Sequence, residues 1–501
     1  MVRLRWIMRG FAIDVRSLAV FRMAMAGVFL IDLAERACDL TDHYTDWGIF
    51  PRATRVTMDD NGSTDAGPWA WSLHMATGTA WGETAIFLAT AVFGIWLLIG
   101  YRTRLAAFMC WLLTVSIYYR TPLVADVGDT ILRTVLFWAM FLPLGAAASV
   151  DRWLRRADPP APREIASLAG AALILQICME YWTAAAEKTS PAWLTDRTAL
   201  YYALSLDAFA TPLGHQLLAY PQLLACLTVS VYWLEWIGPA VVLSPVVRDF
   251  FRLIAVLAFW AFHLGIVLTM SLGALPWLSI AAWTLVLPGT LWDKLGWRPP
   301  EGTATAREPG LLSRLFHRPD LPYRPLGKAT SAVVVVLSLY VAVWNVCCVT
   351  QAGEPWPGAW VPAYVLGLEQ NWRMFAPLAP TEDGWYEMRG VLADGSLVNL
   401  WEPDRPVPHD KPSDVRATYG NRRWQRYLTE IRRGWAWYVP EFADWLRRRW
   451  NDCYAGDVPG RRLKRMEIIY HIENTLPPGR TSTLIVPEVL FEADYSSPGT
   501  P

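Results

Sequence analysis

The sequence predicts an all-α polytopic membrane helix bundle of about eight or nine spans, followed by a small α+β extramembrane domain. Three observations lead there. Hydrophobic residues make up 53% of the 501 positions. They fall into blocks about 20 residues long, the length that takes an α-helix across a bilayer. Beyond position 350 those blocks stop, and a pattern of prolines, hairpin turns and alternating residues takes over.

The first span, 13–34, follows Arg3, Arg5 and Arg9 and has no small-residue cleavage site, so it reads as a signal anchor. Further spans are predicted at 81–100, 104–120, 128–145, 165–186, 222–245, 251–270, 274–290 and 329–350. The connecting segments alternate in charge. Segments 1–12, 101–104, 146–164, 246–252 and 291–328 hold 18 basic residues against 8 acidic ones, whereas 35–80, 120–130 and 187–220 hold 6 against 12. Because Lys and Arg accumulate in cytoplasmic loops, the N-terminus is expected inside. Nine crossings then put the C-terminal domain outside.

The membrane domain is expected over 1–350 and the C-terminal domain over 351–501. Pro355, Pro357 and Pro362 mark the connector. Residues 385–391 and 396–401, joined through Asp394-Gly395, have hairpin patterning. Residues 466–472 and 482–491 read as two more strands. Between them, 421–431 and 441–450 have helical spacing with Trp and Tyr interleaved among Arg, and are expected to form a solvated or headgroup-facing surface. A net formal charge of zero with no long basic tract gives no reason to expect a nucleic-acid partner.

The seven cysteines, at 38, 110, 178, 226, 347, 348 and 453, include no C-x-x-C pair and no zinc spacing, so no metal site is expected. Cys38, Cys347, Cys348 and Cys453 fall toward the outer face. That leaves open one bridge from the first loop to the last span or the C-terminal domain.

Ionisable groups inside spans are costly and mark candidate sites. Here they are Arg22, Asp126, Asp129, Arg133, Glu180, Glu187, Glu235 and His263. Asp129 and Arg133 are four apart and expected to pair on one helical face. Glu180 and Glu187 share a stripe, whereas Glu187 and Lys188 diverge by about 100°. Lys188 stands out because only five of the 45 basic residues are Lys, and it ends the apolar run 168–186. An arginine would anchor the helix end equally well by snorkelling, but only lysine can lose its proton in apolar surroundings and act as a base.

The first half holds Leu18-Ala-Val-Phe-Arg-Met23, Tyr44-Thr-Asp-Trp-Gly-Ile-Phe-Pro-Arg52, Gly100-Tyr-Arg-Thr-Arg104, Gly128-Asp-Thr-Ile-Leu-Arg133 and Phe141-Leu-Pro-Leu-Gly145. Together these segments are similar to the HTTM (horizontally transferred transmembrane) module of the vitamin K-dependent gamma-carboxylase family. The likeness continues through Glu187-Lys188, Trp193, Phe262-His263-Leu264 and Gln370-Asn-Trp-Arg-Met-Phe-Ala-Pro377, covering about residues 15–400. It implies a bacterial inner-membrane protein whose C-terminal domain is periplasmic. It also implies that Lys188 deprotonates a reduced vitamin K or menaquinol-type quinol. O2 then adds, and the resulting alkoxide removes a proton from a Glu γ-carbon, which takes up CO2. The Glu belongs to a protein or peptide at the outer face. His263 is expected to hold the quinol or the anionic oxygen, with Tyr181, Trp193 and Glu235 binding the cofactor. The chain departs from the animal enzymes at Arg120-Thr-Pro-Leu-Val-Ala-Asp-Val-Gly-Asp129, which lacks their extra histidine, and beyond residue 400. A different class of reading is a non-catalytic module that binds a partner protein or lipid through its Trp- and Arg-rich outer domain. A transporter would show internal repeats, and none is evident.

Overall fold

Each apolar block forms helix, since a bilayer-buried backbone must satisfy its own polar groups. In the computed structural model, which describes residues 10–60, 67–154, 163–297, 327–480 and 485–495, these helices are α1 (Val15–Cys38), α2 (Ala80–Ile99), α3 (Thr103–Arg120), α4 (Val127–Ala139), α5 (Leu168–Glu187), α6 (Pro221–Leu243), α7 (Arg248–Thr269), α8 (Leu275–Trp283) and α9 (Lys328–Thr350). Most of the basic segment 291–328 and the start of the strand expected at 482 lie outside the described residues, as do Arg3, Arg5 and Arg9.

Six helices, α1, α2, α5, α6, α7 and α9, are long and apolar enough to cross a membrane. The blocks at 128–145 and 274–290 give shorter helices than expected. α4 has 13 residues, reaching about 20 Å at about 1.5 Å per residue. α8 is extended only by the 3₁₀ turn Thr284–Val286. Both are enclosed by the longer helices: every residue of α4 from Gly128 onward is buried. That enclosure is what allows their irregular ends, because non-helical backbone at membrane depth must be covered by protein.

The two sets of connecting segments gather at opposite ends of the bundle. At one end Arg16 bonds Asp14 at 2.8 Å, Asp293 at 2.7 Å and the Trp297 carbonyl at 2.6 Å. There too the Arg252 guanidinium donates to the Gly10 and Ala12 carbonyls, and the Asp151 carboxylate accepts from the Arg102 and Thr103 amides. Arg22, about two turns into α1, donates to the Ala148 and Leu144 carbonyls. Gly100, at φ +76°, closes α2 where a Cβ would run into that guanidinium.

The C-terminal domain packs on the other end. Its sheet has the order β2-β1-β3-β4, all antiparallel, from β1 (Glu382–Leu392), β2 (Leu397–Asn399), β3 (Leu463–Asn474) and β4 (Ile485–Asp494). The hairpin turns at Asp394-Gly395, with Gly395 at φ +87° and the Asp394 carboxylate accepting from the Ser396 amide and hydroxyl. Helices α10 (Arg422–Arg433) and α11 (Val439–Trp450) cover the sheet. The connector belongs with the bundle by its packing, since Ala363, Leu368 and Trp372 sit in the bundle core.

Three expectations are corrected. α10 is no headgroup-facing surface: Arg423, Trp424, Gln425, Tyr427 and Leu428 are buried. Its Arg423 reaches Asp129 at 2.5 Å and Asp32 at 2.6 Å, and Arg36 bonds the same two carboxylates. Asp129 therefore does not pair with Arg133, which turns instead to Glu369 at 2.5 Å. Two arginines from other elements outcompete the single partner within the helix. All seven cysteines are free thiols, so no bridge is formed.

Candidate functional site

α5 begins with Ser167, whose hydroxyl accepts from the Gly170 amide, and ends at Lys188, its C-cap residue. Ser190 and Pro191 then start a single turn, Pro191–Leu194, that brings Trp193 under the lysine. The Lys188 ammonium lies 5.0 Å from the Trp193 ring centre. The side chain folds back along its own helix, with Nζ 3.2 Å from the Ala184 carbonyl and 2.7 Å from Glu235 Oε2 on α6. Lys188 is only 5% exposed, which excludes a snorkelling anchor. Glu187 points elsewhere and bonds Arg373 at 3.1 Å, the divergence that helix geometry requires.

Pro239, inside α6, removes the amide that would have bonded the Glu235 carbonyl four residues earlier, and Gly238 beside it lets Phe259 of α7 approach closely. One turn on, His263 of α7 accepts or donates at Nε2 to the Tyr181 hydroxyl, 2.7 Å away. That hydroxyl also accepts from Trp283 Nε1 at 2.9 Å, and Trp283 stacks on Phe259 at 4.2 Å.

Lys188, Glu235, Tyr181, His263 and Trp193 all line one cavity of about 80 Å³. Apart from Glu180 and Ser279, its remaining wall is apolar and aromatic, including Phe262, Trp372, Met374 and Phe375. The connector segment 370–377 forms that wall: Gln370 Oε1 accepts from Gln176 and from Trp372, and the Pro377 carbonyl accepts from Trp193. Leu272, Leu275, Met374 and Phe375 separate the cavity from a chamber of about 300 Å³ between the bundle and the C-terminal domain. Phe375 holds φ +52°, a left-handed conformation uncommon for a non-glycine residue.

Sequence reasoning named five residues of this lining and missed others. Glu180 was named as a candidate intramembrane carboxyl but given no role, Trp372 and Phe375 appeared only as part of the 370–377 motif, and Ser279 was not singled out. The 370–377 segment was visible as a motif, but nothing in the sequence says it folds back over α5. Among the described residues, no group of three or more His, Cys, Asp or Glu is placed to hold a metal ion. No family model, curated protein or solved structure matches the chain.

Proposed function

We propose that the protein is an integral membrane enzyme of the gamma-carboxylase type, with Lys188 as general base toward a reduced vitamin K or menaquinol-type quinol. O2 and CO2 are the co-substrates, and a Glu side chain of a protein or peptide at the outer face is the acceptor. The observation that carries this reading is the convergence of Lys188, Glu235, Tyr181, His263 and Trp193 on one enclosed apolar cavity. A quinol, when bound, supplies the electrons that turn O2 into a strong base.

The side chains fit such a ligand. Aromatic walls suit a flat ring, and few polar groups fix its orientation. The present volume is below the roughly 300 Å³ of an ordinary ligand pocket, so a bicyclic ring takes its room by pushing Met374 and Phe375 toward the neighbouring chamber. Lys188 Nζ takes the proton of a ligand hydroxyl after passing its own to Glu235 along their 2.7 Å hydrogen bond. Burial keeps bulk water from that amine, and Trp193 holds it in place. The bilayer is the medium, and the reading includes nine crossings in a bacterial inner membrane, the N-terminus cytoplasmic and the C-terminal domain periplasmic.

The second reading, a non-catalytic module that binds a protein or lipid, draws on the same ion pair: Lys188 and Glu235 satisfy each other and tie α5 to α6. The two separate in one experiment. Purified protein is given reduced menaquinone without oxygen, O2 is admitted, and the epoxide is sought by mass spectrometry beside the Lys188→Ala variant. Epoxide that depends on Lys188 is expected. Folded protein that yields none leaves the binding module.

A further inference from the structure

We propose that Glu180 and His263 form a hydroxyl-recognition site at the far end of the cavity from Lys188, holding the second oxygen of a ligand that carries an oxygen at each end; this rests on the Lys188 cavity being a ligand site. Two buried polar atoms in the cavity lining lack any partner, Glu180 Oε1 and His263 Nδ1. Both residues are at least nine-tenths buried, at 5% and 2% exposure. A buried polar atom left unpaired is destabilising, so two in one cavity point to a ligand that completes them.

The required chemistry follows from the neighbours. Trp283 Nε1 donates to the Tyr181 hydroxyl, and the nearest acceptor for that hydroxyl's own proton is His263 Nε2 at 2.7 Å. With the Tyr181 hydroxyl donating to Nε2, the imidazole proton sits on Nδ1 and the unpaired atom is a donor. Gln176, one turn before Glu180, accepts from Trp138, donates to Gln370 and also lies beside the Glu180 carboxyl, which leaves Oε1 as the oxygen without a partner. The cavity thus offers one N–H and one carboxyl oxygen, and a hydroxyl meets both by accepting from the first and donating to the second. Eight residues of helix separate Glu180 from Lys188, about 12 Å of rise. Lys188 folds back toward Ala184, which shortens the gap to the reach of a ring bearing opposed oxygens with a hydrogen bond at either end. The ligand class is a ring diol.

The test removes the lysine end so that only the far end can discriminate. Full-length Lys188→Met/Glu235→Leu protein, with the ion pair deleted as a unit, is equilibrated without oxygen with 2-methyl-1,4-naphthalenediol or with its dimethyl ether. Binding about tenfold tighter for the diol is expected, corresponding to one good buried hydrogen bond. Adding Glu180→Leu, an apolar change checked for an unshifted melting transition, should erase that preference, and Glu180→Gln should keep part of it. A preference that survives Glu180→Leu overturns the site. So does a diol that binds no better than the ether. If wild-type protein binds neither compound, the site and the quinol reading fall together. If the Glu180-dependent preference is present but O2 yields no epoxide, the site stands and the enzymatic reading alone falls.

Discussion

Lys188 is legible in the sequence because a chain that uses Arg almost everywhere places a Lys at the end of an apolar run. Its partner is not legible, since Glu235 is 47 positions away and only the packing of α5 on α6 joins them. Burial sets what each substitution should do. Lys188→Ala leaves the Glu235 carboxylate buried and unpaired, which costs about 3–5 kcal/mol and should lower the melting transition. Lys188→Met/Glu235→Leu should regain most of that loss, and a double-mutant cycle in thermal melting measures it. Lys188→Arg should fold and yet form no epoxide, because a guanidinium does not give up its proton. Outside the membrane, Asp383 makes a pH prediction. Burial, aided by the nearby Asp207 carboxylate, pushes its carboxyl up to about 6, while its oxygen accepts from the Ala208 amide. A raised folded-state value means the stabilisation is complete below pH ~4, the unfolded value, and is lost as pH rises through about 6. The loss is about 3 kcal/mol at most. Asp383→Asn should melt with a flatter pH dependence between those limits.

At the scale of elements, the same composition can face lipid headgroups or another part of the protein, and sequence period alone does not choose. α10 is the instance: its Arg and Trp pattern fitted a wet surface, yet it is the helix that docks the C-terminal domain. Arg423 enters a buried cluster with Arg36, Asp32 and Asp129, while Trp424 packs against His43 with ring centres 4.4 Å apart and bonds Asp39. Burial and the two neighbouring guanidiniums push His43 down to about 3, so it is neutral at that contact. The hairpin at Asp394-Gly395, by contrast, was readable because its turn chemistry is local. Truncating Arg423 to Ala leaves Asp32 and Asp129 with one guanidinium between them. The expected cost is about 3–5 kcal/mol, concentrated in domain docking, so proteolysis should release the C-terminal domain while the helical bundle stays intact. Unchanged protease resistance would show that the cluster does not hold the domains together.

For the whole molecule, the orientation rests on two short helices. α4 and α8 are too short and too enclosed to read as spans by length, but each carries the chain from the end that bears the C-terminal domain to the end where Arg16, Asp151 and Asp293 lie. Charge counting sorted the loops into the same two ends because it depends on where the connections emerge and is indifferent to helix length. Trp153 follows α4 and Leu295 follows α8, and both are exposed, as is Cys453 in the C-terminal domain. In sealed vesicles of known sidedness, an impermeant maleimide should reach Cys453 from one face. With Cys453 replaced by Ser, it should reach Trp153→Cys and Leu295→Cys only from the other. Labelling of either position from the Cys453 side would mean that its short helix turns back within the membrane. The parity of crossings would then change, and with it the side of the membrane on which the C-terminal domain lies.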